Sequence, residues 1–93
     1  MMVRPRKFRN IWFNPEVTYY KPAGIPVRML EEVVLTKEEV ESLRLSDYEG
    51  LDQGSSAKKM KISQPTFNRT LASARKKISE AIIDGKAIRI EGE

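Results

Sequence analysis

The sequence contains neither cysteine nor histidine. The first absence removes disulfides, thiolate metal sites and cysteine nucleophiles together, and the second removes imidazole as a metal ligand or general base. No nucleophile–base pair is recognisable, so catalytic residues, metal ligands and cofactors are all expected to be none, and the chain is not expected to be an enzyme. No apolar run approaches the ~20 residues of a membrane span. The N-terminus is basic without the apolar stretch of a signal peptide, so a cytoplasmic protein with no membrane contact is expected. Internal repeats and low-complexity tracts are also missing. Ninety-three residues at 40% hydrophobic make one domain with a modest core.

Acids are absent from one long stretch. Residues 53–79 carry seven lysines and arginines and no aspartate or glutamate; residues 31–52 carry eight acids against two bases; residues 1–9 carry four bases and no acid. A net charge of +4 therefore conceals a partition in which both ends attract phosphate and the middle repels it. The acidic segment is expected to face away from a nucleic acid.

The acid-free stretch reads as a helix, a tight turn and a longer helix. Gln53 to Met60 make the first helix, with small Ala57 where a second helix crosses closely, and Lys61-Ile62 make the turn. Ser63 stands as N-cap, Pro65 falls in the first turn where a missing N–H costs nothing, and Ile62 and Phe67 are spaced as a hydrophobic staple. Phe67, Leu71, Ala74, Ile78, Ala81 and Ile82 recur at helical spacing and predict one buried face. Gly85 supplies the stop after Asp84.

The opposite face is polar and basic. Gln64, Thr66, Asn68 and Arg69 occupy the first turns of the recognition helix Ser63–Asp84. Gln, Asn and Arg have the donor and acceptor geometry for adenine and guanine edges, which makes these four the candidate base contacts. Lys58, Lys59, Ser63, Arg75, Lys76 and Lys77 suit phosphates, which position a protein without reading sequence. An ordinary solvated surface would use the same residue types, and it is their conjunction with cap, staple, turn and apolar stripe that favours binding.

Thr36 and Glu39 form a T-x-x-E capping box for an acidic helix, with Leu35 and Val40 as its staple. Glu38, Glu39 and Glu41 sit where helix dipole and solvation explain them. Val40, Leu43 and Tyr48 are expected to pack on the two later helices. Arg4, Arg6, Lys7 and Arg9 form a proline-stiffened N-terminal arm, read either as a minor-groove or phosphate contact or as a basic terminus that touches nothing in particular. Ile11-Trp12-Phe13 and Val17-Thr18-Tyr19-Tyr20 read as two extended pieces around Asn14-Pro15-Glu16, and Ala87-Ile88-Arg89-Ile90 alternates like a strand able to pair with them. Lys21-Pro22-Ala23-Gly24-Ile25-Pro26 is a rigid connector. Trp12, Tyr19 and Tyr20 are expected in the core rather than stacked on bases.

Arg4-Pro5-Arg6-Lys7, the Lys21 to Pro26 block, Leu43-Arg44-Leu45-x-Asp47-x-Glu49-Gly50-Leu51 and Gly85-Lys86-Ala87-Ile88-Arg89-Ile90 together resemble a widespread family of small prokaryotic proteins whose helix-turn-helix is similar to region four of the bacterial sigma factors. The resemblance covers essentially the whole chain and implies a DNA-binding transcriptional regulator. Phe8 stands where the pattern expects cysteine, so a redox or metal role suggested for relatives does not carry over. Lys61 stands where it expects glycine. Gly54, Ser55 and Ser56 give the first helix poor propensity, which predicts a short or frayed element. Some members continue into a second domain resembling those that bind an iron–molybdenum cofactor, which this sequence, running to Glu93, does not include.

The expected fold is mainly α: a three-helix helix-turn-helix of winged-helix or sigma-region-four type in one domain. Residues 1–30 form the basic arm and extended segment, 31–86 the helical core and 87–93 a short strand and tail, the two termini having the pattern for a small β element. The expected partner is double-stranded DNA. Ile78, Ile82 and Ile83 either complete the monomer core or meet a second copy in a homodimer. An adaptor contacting RNA polymerase and an RNA-binding module are the rival readings.

Overall fold

A computed structural model describes residues 17–91. The arm residues Arg4, Arg6, Lys7 and Arg9, together with Phe8 and the 11–16 segment, lie outside the described residues.

Three short strands and three helices follow one another: β1 Tyr19–Tyr20, β2 Glu32–Leu35, α1 Lys37–Leu43, α2 Gln53–Met60, α3 Gln64–Asp84 and β3 Ala87–Ile90. The strands form one sheet in the order β1-β3-β2, with β1 antiparallel and β2 parallel to β3. The expected pairing between the chain's two ends is present, with Tyr19 opposite Arg89 and Tyr20 opposite Ile88. Between β1 and β2 the Pro-rich connector turns at Gly24 (φ +82°), where Lys21 Nζ donates to the Ile25 carbonyl at 2.7 Å, and then forms a 3₁₀ turn at Val27–Met29.

Strand β2 runs directly into the Thr36 cap of α1, so Leu35 serves both as its last residue and as the lead-in to the helix, and the helix signal masks the strand. Val33 and Leu35 are buried and Val34 is exposed, the alternation of a half-covered strand. What completes it is the ladder to β3, a partner more than fifty residues away that no local pattern announces. Across the outer face, Tyr19, Glu32 and Arg89 tie the three strands together. Tyr19 donates to Glu32 at 2.6 Å, Arg89 forks onto the same carboxylate at 2.9 Å in both contacts, and the guanidinium lies 5.4 Å from the Tyr19 ring centre. Arg89 and Tyr19 hold the Glu32 carboxyl below its usual range, while the bond to Glu32 lifts the Tyr19 phenol.

Helix α1 begins with the complete capping box expected: Glu39 N–H donates to Thr36 Oγ1 at 3.1 Å and Thr36 N–H to Glu39 Oε1 at 2.8 Å. It runs into a π-helical turn, Arg44–Tyr48, closed by Glu49 N–H on the Arg44 carbonyl at 2.8 Å. Leu45 is buried within this turn, but the extra residue per turn carries Tyr48 outward, to 84% exposure, instead of onto the later helices. Solvation does not account for Glu39 and Glu41 either, since both are buried. The Arg44 guanidinium forks onto Glu41 at 3.0 and 2.9 Å, and Glu39 is held by its own network with α3.

Helix α2 is complete over Gln53–Met60 despite Gly54 and two serines. Asp52 supplies a cap the sequence reading missed, accepting from Ser55 N–H at 2.7 Å, and Ala57 and Met60 are buried. Lys61 then adopts the left-handed conformation (φ 58°) that the family pattern gives to glycine. Ser63 caps α3, accepting from Thr66 N–H at 3.2 Å, and Gly85 (φ +68°) ends it.

Two layers of core meet on α3. Its first half contributes Phe67 and Leu71 to a cluster with Leu45, Ala57 and Met60, around which Leu43, Leu51 and Ile62 pack. Its second half contributes buried Ala74 and Ala81, as α3 continues along α1 and the strands β2 and β3. Full burial of a side chain such as Phe67 or Leu71 contributes about 1.5–3 kcal/mol each. Ile82, expected on this face, is instead 71% exposed, since a residue next to Ala81 is turned roughly 100° around the axis. Ile83 is 80% exposed, while Ile78 is half-buried. Tyr20, expected in the core, is 54% exposed because β1 is a two-residue edge strand paired to β3 on the side away from β2.

Glu39 joins α1 to α3. Ser73 Oγ donates to Glu39 Oε2, and Lys77 Nζ donates to Glu39 Oε1 at 2.9 Å and to the Val34 carbonyl of edge strand β2 at 2.7 Å. Burial pushes the Glu39 carboxyl up, but the bonds from Ser73, Thr36 and Lys77, with the Lys77 charge, outweigh it and leave the group below its ordinary range. A lowered folded value means that the stabilisation is complete above the ordinary carboxylate range and is lost as pH falls through the lowered value. Glu39→Gln, which preserves the cap's shape, is therefore expected to cost about 1–2 kcal/mol at neutral pH. Urea midpoints measured at several pH values should show the gap to the native chain closing below about pH 4; a gap unchanged down to pH 3 contradicts this account. Lys61→Gly is expected to raise stability by about 1 kcal/mol at neutral pH by relieving the left-handed lysine, read as a higher urea midpoint with an unchanged slope.

Candidate nucleic-acid interface

The first turns of α3 stand free of the core because its apolar residues, Phe67 and Leu71, face α2 and the π turn. Gln64, Asn68 and Arg69 are consequently all exposed, and with Ala72, Arg75 and Lys76 they form an outward strip that spans about 18 Å of helix. A Cβ added at Gly54 would lie 3.7 Å from Gln64 Oε1 and 3.5 Å from Asp52 Oδ1, so the start of α2 comes up against the start of α3. Asp52 is thereby an exposed acid close to the strip, its carboxylate held by Ser55 N–H and Oγ.

Thr66 behaves differently from its neighbours. It is half-buried, and its hydroxyl accepts from Ser63 Oγ at 2.9 Å and from Arg69 Nη2 at 3.3 Å. This hydroxyl braces the cap and steadies Arg69. Ser63 itself is exposed at the helix start, where α3's first amides and positive dipole end lie.

The bases divide into two groups. Lys58, Lys59 and Lys61 are exposed at the end of α2 and in the turn, with no ion pair among the described residues. Lys76 is exposed on the strip. Arg75 and Lys77 are held by the acidic segment. Arg75 Nη2 donates to Asp47 Oδ1 at 2.6 Å and its Nε to Oδ2 at 3.1 Å, which raises the guanidinium's pKa and holds the Asp47 carboxyl down. Lys77, half-buried, is the ammonium on Glu39 and Val34. The acidic segment packs against the flank of α3.

Sequence reasoning treated Lys61 only as a backbone departure, yet its ammonium extends the Lys58-Lys59 group into the turn. The partnerships of Asp47 and Glu39 were likewise missed; the opposite signs of 31–52 and 53–79 were the available signal, without any indication of which acid meets which base. Among the described residues no group of three or more aspartates and glutamates is placed to hold a metal ion, and no helix is long and apolar enough to cross a membrane.

Comparison with known proteins points to one family. The family described as "Protein of unknown function DUF134" matches residues 1–93. A UPF0251 protein of Caldanaerobacter subterraneus is 57% identical over 91 residues, covering 98% of this chain and 77% of its own length. Relatives bearing the same UPF0251 name in Dehalococcoides mccartyi and Desulforudis audaxviator are 57% and 56% identical over 91 residues, with 98% of this chain covered in each case and 78% and 60% of the relatives. No solved structure matches. With its full length matched and more than half its residues shared with these proteins, the chain belongs to the DUF134 family, whose members in these prokaryotes are the UPF0251 proteins.

Proposed function

We propose that the chain binds double-stranded DNA through α2, the Lys61-Ile62 turn and α3, and that it acts as a transcriptional regulator. The observation that carries this reading is the joint exposure of Gln64, Asn68 and Arg69 on the first turns of a capped helix, beside Lys58, Lys59 and Lys61, which have no ion pair among the described residues. A helix of this kind enters the major groove with its N-terminal residues towards base edges. Asn68 and Gln64 offer the donor–acceptor pair for adenine, and Arg69 offers the fork for guanine. Lys58, Lys59, Lys61 and Lys76 are placed for phosphates on either side, with Ser63 and the first amides of α3 adding a neutral phosphate contact. The Thr66 hydroxyl contributes by steadying Arg69.

Selection from a randomised duplex pool at about 0.15 M salt, a physiological ionic strength, with single-stranded RNA as competitor, tests the proposal directly. An enriched motif supports it; preferential retention of the RNA, or no saturable binding, removes it. Given a motif, Arg69→Ala is expected to cost about 1–3 kcal/mol and relax base preference, whereas Lys76→Ala should weaken all sequences alike and flatten the salt dependence by about one unit. Lys61→Gly should flatten it by a similar amount, so that one substitution improves stability and impairs binding. Equal losses on selected and random DNA for Arg69→Ala would remove the base-reading role.

A further inference from the structure

Asp47 and Arg75 make a contact whose chemistry matters more than its contribution to the fold. The carboxylate takes the guanidinium side-on, with Nη2–Oδ1 at 2.6 Å and Nε–Oδ2 at 3.1 Å. The two side chains remain 43% and 54% exposed, and ion pairs so open to water add little stability. The geometry is nevertheless the two-point fork that arginine offers to a phosphate. Arg75 stands on the same outward strip as Asn68, two helical turns or about 10 Å further along, in the direction a duplex backbone would follow.

Asp47 is not a residue on a wandering loop. The π turn that presents it is pinned by buried Leu45, by the Glu49–Arg44 backbone bond, and by the Arg44 guanidinium held between Glu41 and Glu49 at 2.9 and 3.2 Å. The carboxylate is therefore kept within reach of Arg75, while Lys76, the next residue, has no ion pair within 4 Å among the described residues. An acid held on one particular base of an otherwise phosphate-attracting strip subtracts that base from the surface.

We propose that Asp47 is an internal phosphate mimic that occupies Arg75 and withholds it from the DNA backbone, lowering affinity for arbitrary sequence and leaving discrimination to Gln64, Asn68 and Arg69. The inference rests on the DNA-binding reading above and adds to it a residue, on a different element, that sets the overall affinity for duplex DNA without touching the choice between sequences. Nonspecific affinity comes almost wholly from neutralised phosphates, so removing one base from the count weakens every sequence, while contacts to base edges are untouched.

The test is fluorescence anisotropy of a labelled random-sequence duplex titrated with the full chain at several salt concentrations, for the native protein, Asp47→Asn, Arg75→Ala and the double variant. Asp47→Asn is expected to bind about fivefold tighter at low salt, with a log–log salt slope steeper by about 0.9. Arg75→Ala should keep the native salt slope and gain no affinity, the uncovered Asp47 carboxylate costing about threefold at most, and the double variant should return to native behaviour. Unchanged binding by Asp47→Asn overturns the proposal. So does a gain that survives in the double variant, whose net charge equals that of the native chain, because Arg75 would then not be the group that Asp47 withholds. A loss of affinity and slope in Arg75→Ala by itself also overturns it, because Arg75 would then already reach phosphate in the native chain; this arm is independent of how well Asp47→Asn folds. Absence of saturable binding by the native protein to any duplex would instead remove the DNA-binding reading on which the inference stands.

Discussion

The domain depends on α3 being able to bury two different things with one face. Twenty-one residues long, it packs Phe67 and Leu71 against α2 and the π turn, buries Ala74 and Ala81 further on, and lies along α1 and the strands β2 and β3. Neither α2, at eight residues, nor a three-stranded sheet with a two-residue edge strand would hold its shape in isolation. The buried stripe changes along the helix from large Phe67 and Leu71 in the first half to small Ala74 and Ala81 in the second. Loss of either contact would leave half of α3 exposed and its partner element without support.

Polar chemistry sets how these layers sit on one another. Glu39 caps α1, accepts from Ser73 and Lys77 of α3, and through Lys77 is linked to the edge strand β2. Its carboxylate is buried, and it is tolerable there because amide, hydroxyl and ammonium groups all donate to it. Arg44 similarly satisfies buried Glu41 and steadies the turn from which Asp47 extends. The acid-rich segment is thus built into the flank of the base-rich helix, and among the described residues the bases of 53–79 left without an ion pair are fewer than the charge count alone indicates: Lys58, Lys59, Lys61, Arg69 and Lys76.

Much of this architecture is legible in the sequence because it is local. Ser63 with Pro65, the Ile62–Phe67 spacing, the Thr36–Glu39 box and Gly85 each specify a helix end through contacts spanning only a few residues, and α1 begins, and α3 begins and stops, where those signals place them. The left-handed Lys61 was legible as a departure from glycine at one position. Exposure of Gln64, Asn68 and Arg69 followed from helical periodicity once Phe67 and Leu71 were assigned to the core.

What the tertiary structure decided involves partners far apart in the chain or small changes of helical phase. Strand β2 exists because β3 lies beside it, and four residues with two buried side chains are too short a pattern to separate from the lead-in to a capped helix. One extra residue in the π turn sent Tyr48 to solvent, and roughly 100° of rotation separated exposed Ile82 from buried Ala81. The sequence by itself determined where the helices are and that the charges are segregated, since periodicity and capping act over a single turn. Only the folded chain decided which bases remain free, because Asp47 meets Arg75 across 28 residues and Glu39 meets Lys77 across 38, distances over which composition carries sign but not geometry.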